Sequence, residues 1–145
     1  MRAKVGDLLN AEELVIMHGC NCQGVMGAGV AKQIKNKWPV VYEKYSQYCP
    51  NNDLIGNIQA VDVGDKLIIN AFTQVYYGSK HRNFNYRKFK VIVRKVKSLC
   101  LKYGFDKVAI PCIGAGLGKG SWSEIRKILE SYEVEGEFEF VVYSL

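Results

Sequence analysis

A chain of 145 residues with 48% apolar content is long enough to bury a proper core and is expected to form one domain over 1–145. Met1-Arg2 leads straight into strand-like sequence and no apolar run reaches the length of a membrane span, so no leader or membrane partner is expected and the protein is placed in the cytoplasm. The net charge of +6 is uneven, with no Asp or Glu in 66–105 and an acid-rich tail, while five scattered cysteines and two histidines argue against a disulfide framework, a structural zinc or any other metal.

In chain order, Val5-Gly6-Asp7-Leu8-Leu9 closes a short first strand and leaves an acid at its end, where Asp7 can cap a turn. A strand over 13–18 ends in His18-Gly19-Cys20-Asn21-Cys22, and polar side chains at the carboxyl end of a strand are well placed for a site. A glycine-rich stretch, Gln23-Gly24-Val25-Met26-Gly27-Ala28-Gly29, then opens a helix over 28–37 with apolar positions Val30, Ile34 and Trp38. Pro39 breaks that helix at Trp38 and starts a second, over 39–48. Strands over 57–61 and 66–72, separated by Asp62-Val63-Gly64-Asp65, suit an antiparallel hairpin, and a polar and aromatic loop, 73–80, follows them.

A long amphipathic helix is expected over 85–103, burying Phe89, Val93, Val96, Cys100 and Tyr103 and turning Arg87, Lys90, Arg94 and Lys97 to solvent. Those cations read as the solvated side of a helix. No nucleic-acid module accompanies them and the aromatics are spaced as core, so nucleic acid is not an expected partner. Next come a buried strand over 107–111, a second glycine loop over 114–120, a helix over 121–132 and a last strand over 138–143. Parallel crossovers combined with one hairpin imply a three-layer α/β/α domain with a mixed central sheet.

Both glycine loops lie between a strand and a helix, which lets backbone N–H groups approach an anion without a Cβ in the way, and phosphate is the expected guest. A turn with no ligand is the alternative for either loop taken alone. The second loop misses the Walker pattern, because Lys119 is followed by Gly120 rather than by Ser or Thr. The first reads G-x-x-G-x-G rather than the dinucleotide G-x-G-x-x-G. Neither a cysteine phosphatase loop nor an Asp-x-Asp pair is present.

Taken together, Gly6-Asp7-Leu8, the run from His18 to Ala31, Phe72-Thr73-Gln74, and Ile110-Pro111-Cys112-Ile113-Gly114-Ala115-Gly116-Leu117 before Trp122 resemble the macro domain, an ADP-ribose-binding fold. The resemblance covers nearly the whole chain. It is greatest to the branch that holds yeast-type and phage-type ADP-ribose 1''-phosphate phosphatases and terminal ADP-ribose glycohydrolases, and the closing Phe140-Val141-Val142-Tyr143-Ser144-Leu145 fits that branch too.

A monomer that needs no cofactor is expected, and the resemblance implies that it binds ADP-ribose or ADP-ribose 1''-phosphate. Asp7 would accept a hydrogen bond from the adenine amino group, with the Leu8 backbone beside it. Asn21 would face the distal ribose. Gly27, Ala28, Gly29 and Val30 would pass close to the diphosphate and that ribose, and Gly114, Ala115, Gly116, Leu117 and Gly118 would wrap the diphosphate through backbone N–H groups. His18 matches a histidine proposed to act in the phosphatase members. Where related phage-type sequences carry an Asp before the tryptophan, this chain has Ser121; where the glycohydrolases carry a lysine and a loop acid, it has Gln74 and Gly118. Lys119 fits either a phosphate-oxygen partner or plain surface charge. Three functions follow as alternatives: a phosphatase on ADP-ribose 1''-phosphate, an ADP-ribosyl hydrolase, and a binding module without turnover.

Overall fold

A computed structural model describes residues 1–78, 84–113 and 120–145. Its six-stranded sheet is built from β1 (Arg2–Val5), β2 (Val15–Cys20), β3 (Ile58–Asp62), β4 (Leu67–Phe72), β5 (Lys107–Ile110) and β6 (Glu139–Ser144), in the order β1-β6-β5-β2-β4-β3. Every pairing is parallel except β3 against β4. That pair is the expected hairpin. Its turn is held by Val63 N–H donating to Lys66 O at 3.0 Å and by Gly64 N–H donating to Asp62 Oδ1 at 2.8 Å, with Gly64 at φ +107°.

Among the described residues, four α-helices cover the sheet: α1 (Gly29–Lys37), α2 (Pro39–Ser46), α3 (Tyr86–Lys102) and α4 (Trp122–Tyr132). Successive strand residues face opposite sides, and β2 sorts its neighbours accordingly. Val15 and Met17 join Ile69, Phe89, Val93, Ile125 and Leu129 in the core under α3 and α4. Ile16 and Cys20 join Ile34, Val41, Tyr45, Ile68 and Phe72 in the core under α1 and α2. The result is the three-layer α/β/α arrangement, with a separate core on each face of a mixed sheet.

Three local expectations need correction. The strand expected to end at His18 runs on to Cys20, because the parallel ladder with β4 continues through Gly19 opposite Ala71 and Cys20 opposite Phe72. His18 is therefore inside the strand. The first strand stops at Val5, and Leu8 and Leu9 belong to a 3-10 turn, Leu8–Asn10, rather than to the strand. Tyr103, expected on the buried face of the long helix, is exposed: α3 ends at Lys102, and Gly104 at φ +82° turns the chain away. The other four residues expected on that face, Phe89, Val93, Val96 and Cys100, are fully buried.

Candidate functional site

The site begins where three adjacent parallel strands, β5, β2 and β4, finish together. Their carboxyl ends and the start of α1 enclose a cavity of about 580 Å³, within the range of small-molecule sites. Gly19 is what allows the ends to meet. A Cβ there would lie 2.9 Å from Thr73 Oγ1 and 3.2 Å from Ile113 Cγ2, so any side chain would push apart the segments that follow β4 and β5.

One wall is the start of α1. Ala28, the residue before the helix, is extended (φ −148°, ψ 158°) and offers no side-chain cap. Lys32 N–H is the group that reaches back to Ala28 O, at 3.3 Å. The N–H groups of Gly29, Val30 and Ala31 come before the first intrahelical bond, and these residues line the cavity. Gly29 sits at φ +58°, a left-handed conformation that favours glycine. Open amide donors at the positive end of a helix dipole make this wall an anion site.

The loop before α1 is anchored from several directions. Asn21 Oδ1 accepts from Gln23 N–H at 2.9 Å and from the Tyr45 hydroxyl at 2.8 Å, while Asn21 Nδ2 donates to Val25 O at 2.7 Å. Tyr42 donates to Gly24 O at 3.2 Å, so α2 grips the loop through two phenols. Cys22 N–H donates to Val75 O and Asn51 N–H to Cys22 O, tying the loop to its neighbours. An amide nitrogen carries two hydrogens, so Asn21 keeps one donor beyond its bond to Val25.

His18 lines the cavity yet is only 1% exposed. Burial pushes its pKa down to about 4, with the Asn70 hydrogen bond opposing the shift, so the imidazole is neutral at pH 7. Nε2 lies 2.6 Å from Asn70 Oδ1, and Asn70 Nδ2 donates to Gln59 Oε1 at 3.1 Å. Desolvation also raises the thiol pKa of Cys20, and raises that of Cys22 to about 11, so both are held as neutral thiols. Among the described lining residues there is no Asp, Glu, Lys or Arg.

Of the residues singled out from sequence, the cavity brings together His18, Asn21, Gly27, Ala28, Gly29 and Val30. Asp7 and Leu8 do not line it. Asp7 is exposed and caps the 3-10 turn, accepting from Leu9 N–H at 3.0 Å, and Leu8 is buried in the core under α1 and α2. Gly114, Ala115, Gly116, Leu117 and Gly118, with Lys119, lie outside the described residues. Thr73, Gln74 and Tyr77 line the cavity without having been picked out as ligand contacts. Their signal was available, since the polar and aromatic loop starts where β4 ends. Gln74 Nε2 donates to Tyr76 O at 2.8 Å. Ser121, at the start of α4, donates its N–H to the Tyr86 hydroxyl at 2.6 Å. Among the described residues, no helix is long and apolar enough to cross a membrane.

Known proteins share this architecture. The chain is similar to the ADP-ribose 1''-phosphate phosphatase of Saccharomyces cerevisiae, with 28% identity over 90% of this chain and 89% of the yeast protein. It is also 28% identical to the DNA ADP-ribosyl glycohydrolase of Mycobacterium tuberculosis, over 95% of this chain but only 40% of that protein's length. Among solved structures, the macrodomain of Thermus aquaticus DarG superposes with a TM-score of 0.83 and 28% identity, covering 99% of this chain and 97% of that one. The family model for the macro domain matches residues 17–129. A match that runs from the site-bearing strand β2 almost to the end of α4 shows that the chain belongs to the macro domain family.

Proposed function

We propose that this chain binds ADP-ribose in the cavity at the carboxyl ends of β5, β2 and β4, and hydrolyses ADP-ribose 1''-phosphate to ADP-ribose and phosphate. The observation that carries the reading is the wall at the start of α1. Uncapped amides open into a cavity whose described lining has no carboxylate to repel a diphosphate or a phosphate monoester. Gly27, Ala28, Gly29 and Val30 then follow the diphosphate and distal ribose, and the backbone N–H groups of Gly114, Ala115, Gly116, Leu117 and Gly118 are assigned to the diphosphate from the family resemblance. Asn21 gives its spare amide hydrogen to the distal ribose. Asp7 and the Leu8 backbone, which lie outside that cavity, are assigned the adenine amine from the family resemblance, and His18 carries the proton.

In that reaction water attacks phosphorus, the P–O1'' bond breaks, and the proton that water gives up passes through His18 to O1'', so ADP-ribose leaves as the neutral alcohol. With its pKa lowered to about 4 by burial, the imidazole is unprotonated at pH 7 and has a lone pair for that proton. The yeast relative's name supports the phosphatase, and Gln74 in place of the glycohydrolase lysine supports it over glycosidic cleavage. The reading takes the chain as a monomer of the cytoplasm with a small-molecule ligand and no nucleic acid or cofactor.

The test gives one preparation both substrates, ADP-ribose 1''-phosphate and ADP-ribosylated DNA or protein. Release of phosphate from the first and no ADP-ribose from the second is expected. Release of ADP-ribose alone makes the chain a glycohydrolase, and binding of ADP-ribose with neither product makes it a binding module.

A further inference from the structure

Three residues on neighbouring strands form one polar row across the sheet. His18 of β2 stands in register with Asn70 of β4, and Asn70 with Gln59 of β3. Two residues earlier along β2, the corresponding row is apolar, Ile16 beside Ile68 beside Val61. Asn70 is fully buried and His18 almost so. Placing an amide and an imidazole where aliphatic side chains pack on the adjacent row costs stability unless every polar atom is paired.

The pairing has a direction. Gln59 Oε1 has no hydrogen, so the 3.1 Å bond needs the Asn70 NH₂ to face it. Asn70 Oδ1 is thereby turned toward His18, at 2.6 Å from Nε2. Oδ1 has no hydrogen either, so Nε2 is the donor and the lone pair of the neutral ring lies on Nδ1. Cys20 Sγ, 3.5 Å from Nε2 and 3.8 Å from Nδ1, is the one titratable side chain within bonding distance of the ring among the described residues. No charged group contributes to the titration of His18.

We propose that Asn70, oriented by Gln59, is a positioning residue that holds His18 as the Nε2–H tautomer and so makes Nδ1 the atom that accepts the proton in hydrolysis of the 1''-phosphate. The positioning role rests on the phosphatase reading; the tautomer does not. Asn70 touches no substrate in this role. It acts through the ring, as an orienting partner does in other acid–base sites.

Long-range hydrogen–nitrogen NMR correlations of the labelled wild-type protein at pH 7 read the tautomer without any turnover. Protonated Nε2 with unprotonated Nδ1 is expected, and protonated Nδ1 overturns the proposal. In the phosphate-release assay, Asn70→Ala is expected to lower kcat at least about tenfold with KM within about twofold of the parent. Asn70→Asp, nearly the same shape, puts a carboxylate beside the ring, which favours imidazolium and is expected to move the acid limb of the kcat profile to higher pH. A kcat and pH profile unchanged in both variants overturns the positioning role. A wild-type protein that releases no phosphate overturns the phosphatase reading and the positioning role with it, while the spectrum still decides the tautomer.

Discussion

The buried, neutral His18 makes stability depend on pH in a window where the carboxylates contribute little. Its pKa in the fold is about 4 against an ordinary 6.5. Between those values the unfolded chain binds a proton that the native ring refuses, so the contribution of His18 is fully present above pH 6.5 and is lost as pH falls toward 4. At about 1.4 kcal/mol for each unit of difference, the whole window is worth about 3 kcal/mol, and the step from pH 7 to pH 5 about 2 kcal/mol. Glu13 and Glu130, whose pKa values are lowered in the fold from 4.5, lose their contributions at more acid pH than this step. Urea unfolding of the parent and of His18→Gln at pH 7 and pH 5 measures the difference. His18→Gln keeps every other titratable group, so the parent should lose about 2 kcal/mol more than the variant over the step. Equal losses in the two proteins would refute the claim that His18 is buried uncharged.

Gly19→Ala places a Cβ 2.9 Å from Thr73 Oγ1, and a loss of about 1–3 kcal/mol in unfolding free energy is expected, with weaker ADP-ribose binding because the strand ends part; unchanged thermal unfolding would contradict the close approach. Tyr45→Phe removes the hydroxyl at 2.8 Å from both Asn21 O and Asn21 Oδ1. It should cost about 1–2 kcal/mol of stability and lower ADP-ribose affinity, and a variant matching the parent in both melting and calorimetry would show that α2 does not set the loop. Asp7→Ala loses both the turn cap at Leu9 and the proposed adenine contact, for about 1–3 kcal/mol of binding. Asp7→Asn keeps an oxygen for the cap, so if both variants bind ADP-ribose like the parent, the adenine assignment is wrong.

Much of the architecture was legible because its signals are local. The helical repeat from Phe89 to Cys100 marks α3 and its buried side, and Trp38-Pro39 marks the break between α1 and α2. Gly64 between two β-rich runs marks the hairpin. Strand order was not legible, since β1 beside β6 and β5 beside β2 are pairings between distant segments that no local pattern encodes. Ladder length is likewise set by the partner strand, which is why β2 runs past His18 to Cys20. The site shows the same division. Glycines next to a helix start announced the wall at Gly27, Ala28, Gly29 and Val30, whereas Asn70, inside the otherwise apolar run Leu67–Phe72, was not singled out. Its role depends on register with His18 and Gln59, which exists only once three strands are assembled. Tyr45 was readable as part of a helix, but the bond of its hydroxyl to Asn21 was not.

ADP-ribose is proposed to bind at the open amides at the start of α1 and in the cavity beside them. Isothermal calorimetry of the intact chain at pH 7 with ADP-ribose, AMP and ATP in parallel tests it most directly. Saturable binding of ADP-ribose, tighter than either AMP or ATP, is the expected result, because only ADP-ribose offers adenine, diphosphate and a distal ribose to the whole cleft. No detectable heat with ADP-ribose at about millimolar ligand, where a site worth roughly 4 kcal/mol would be half filled, would contradict it.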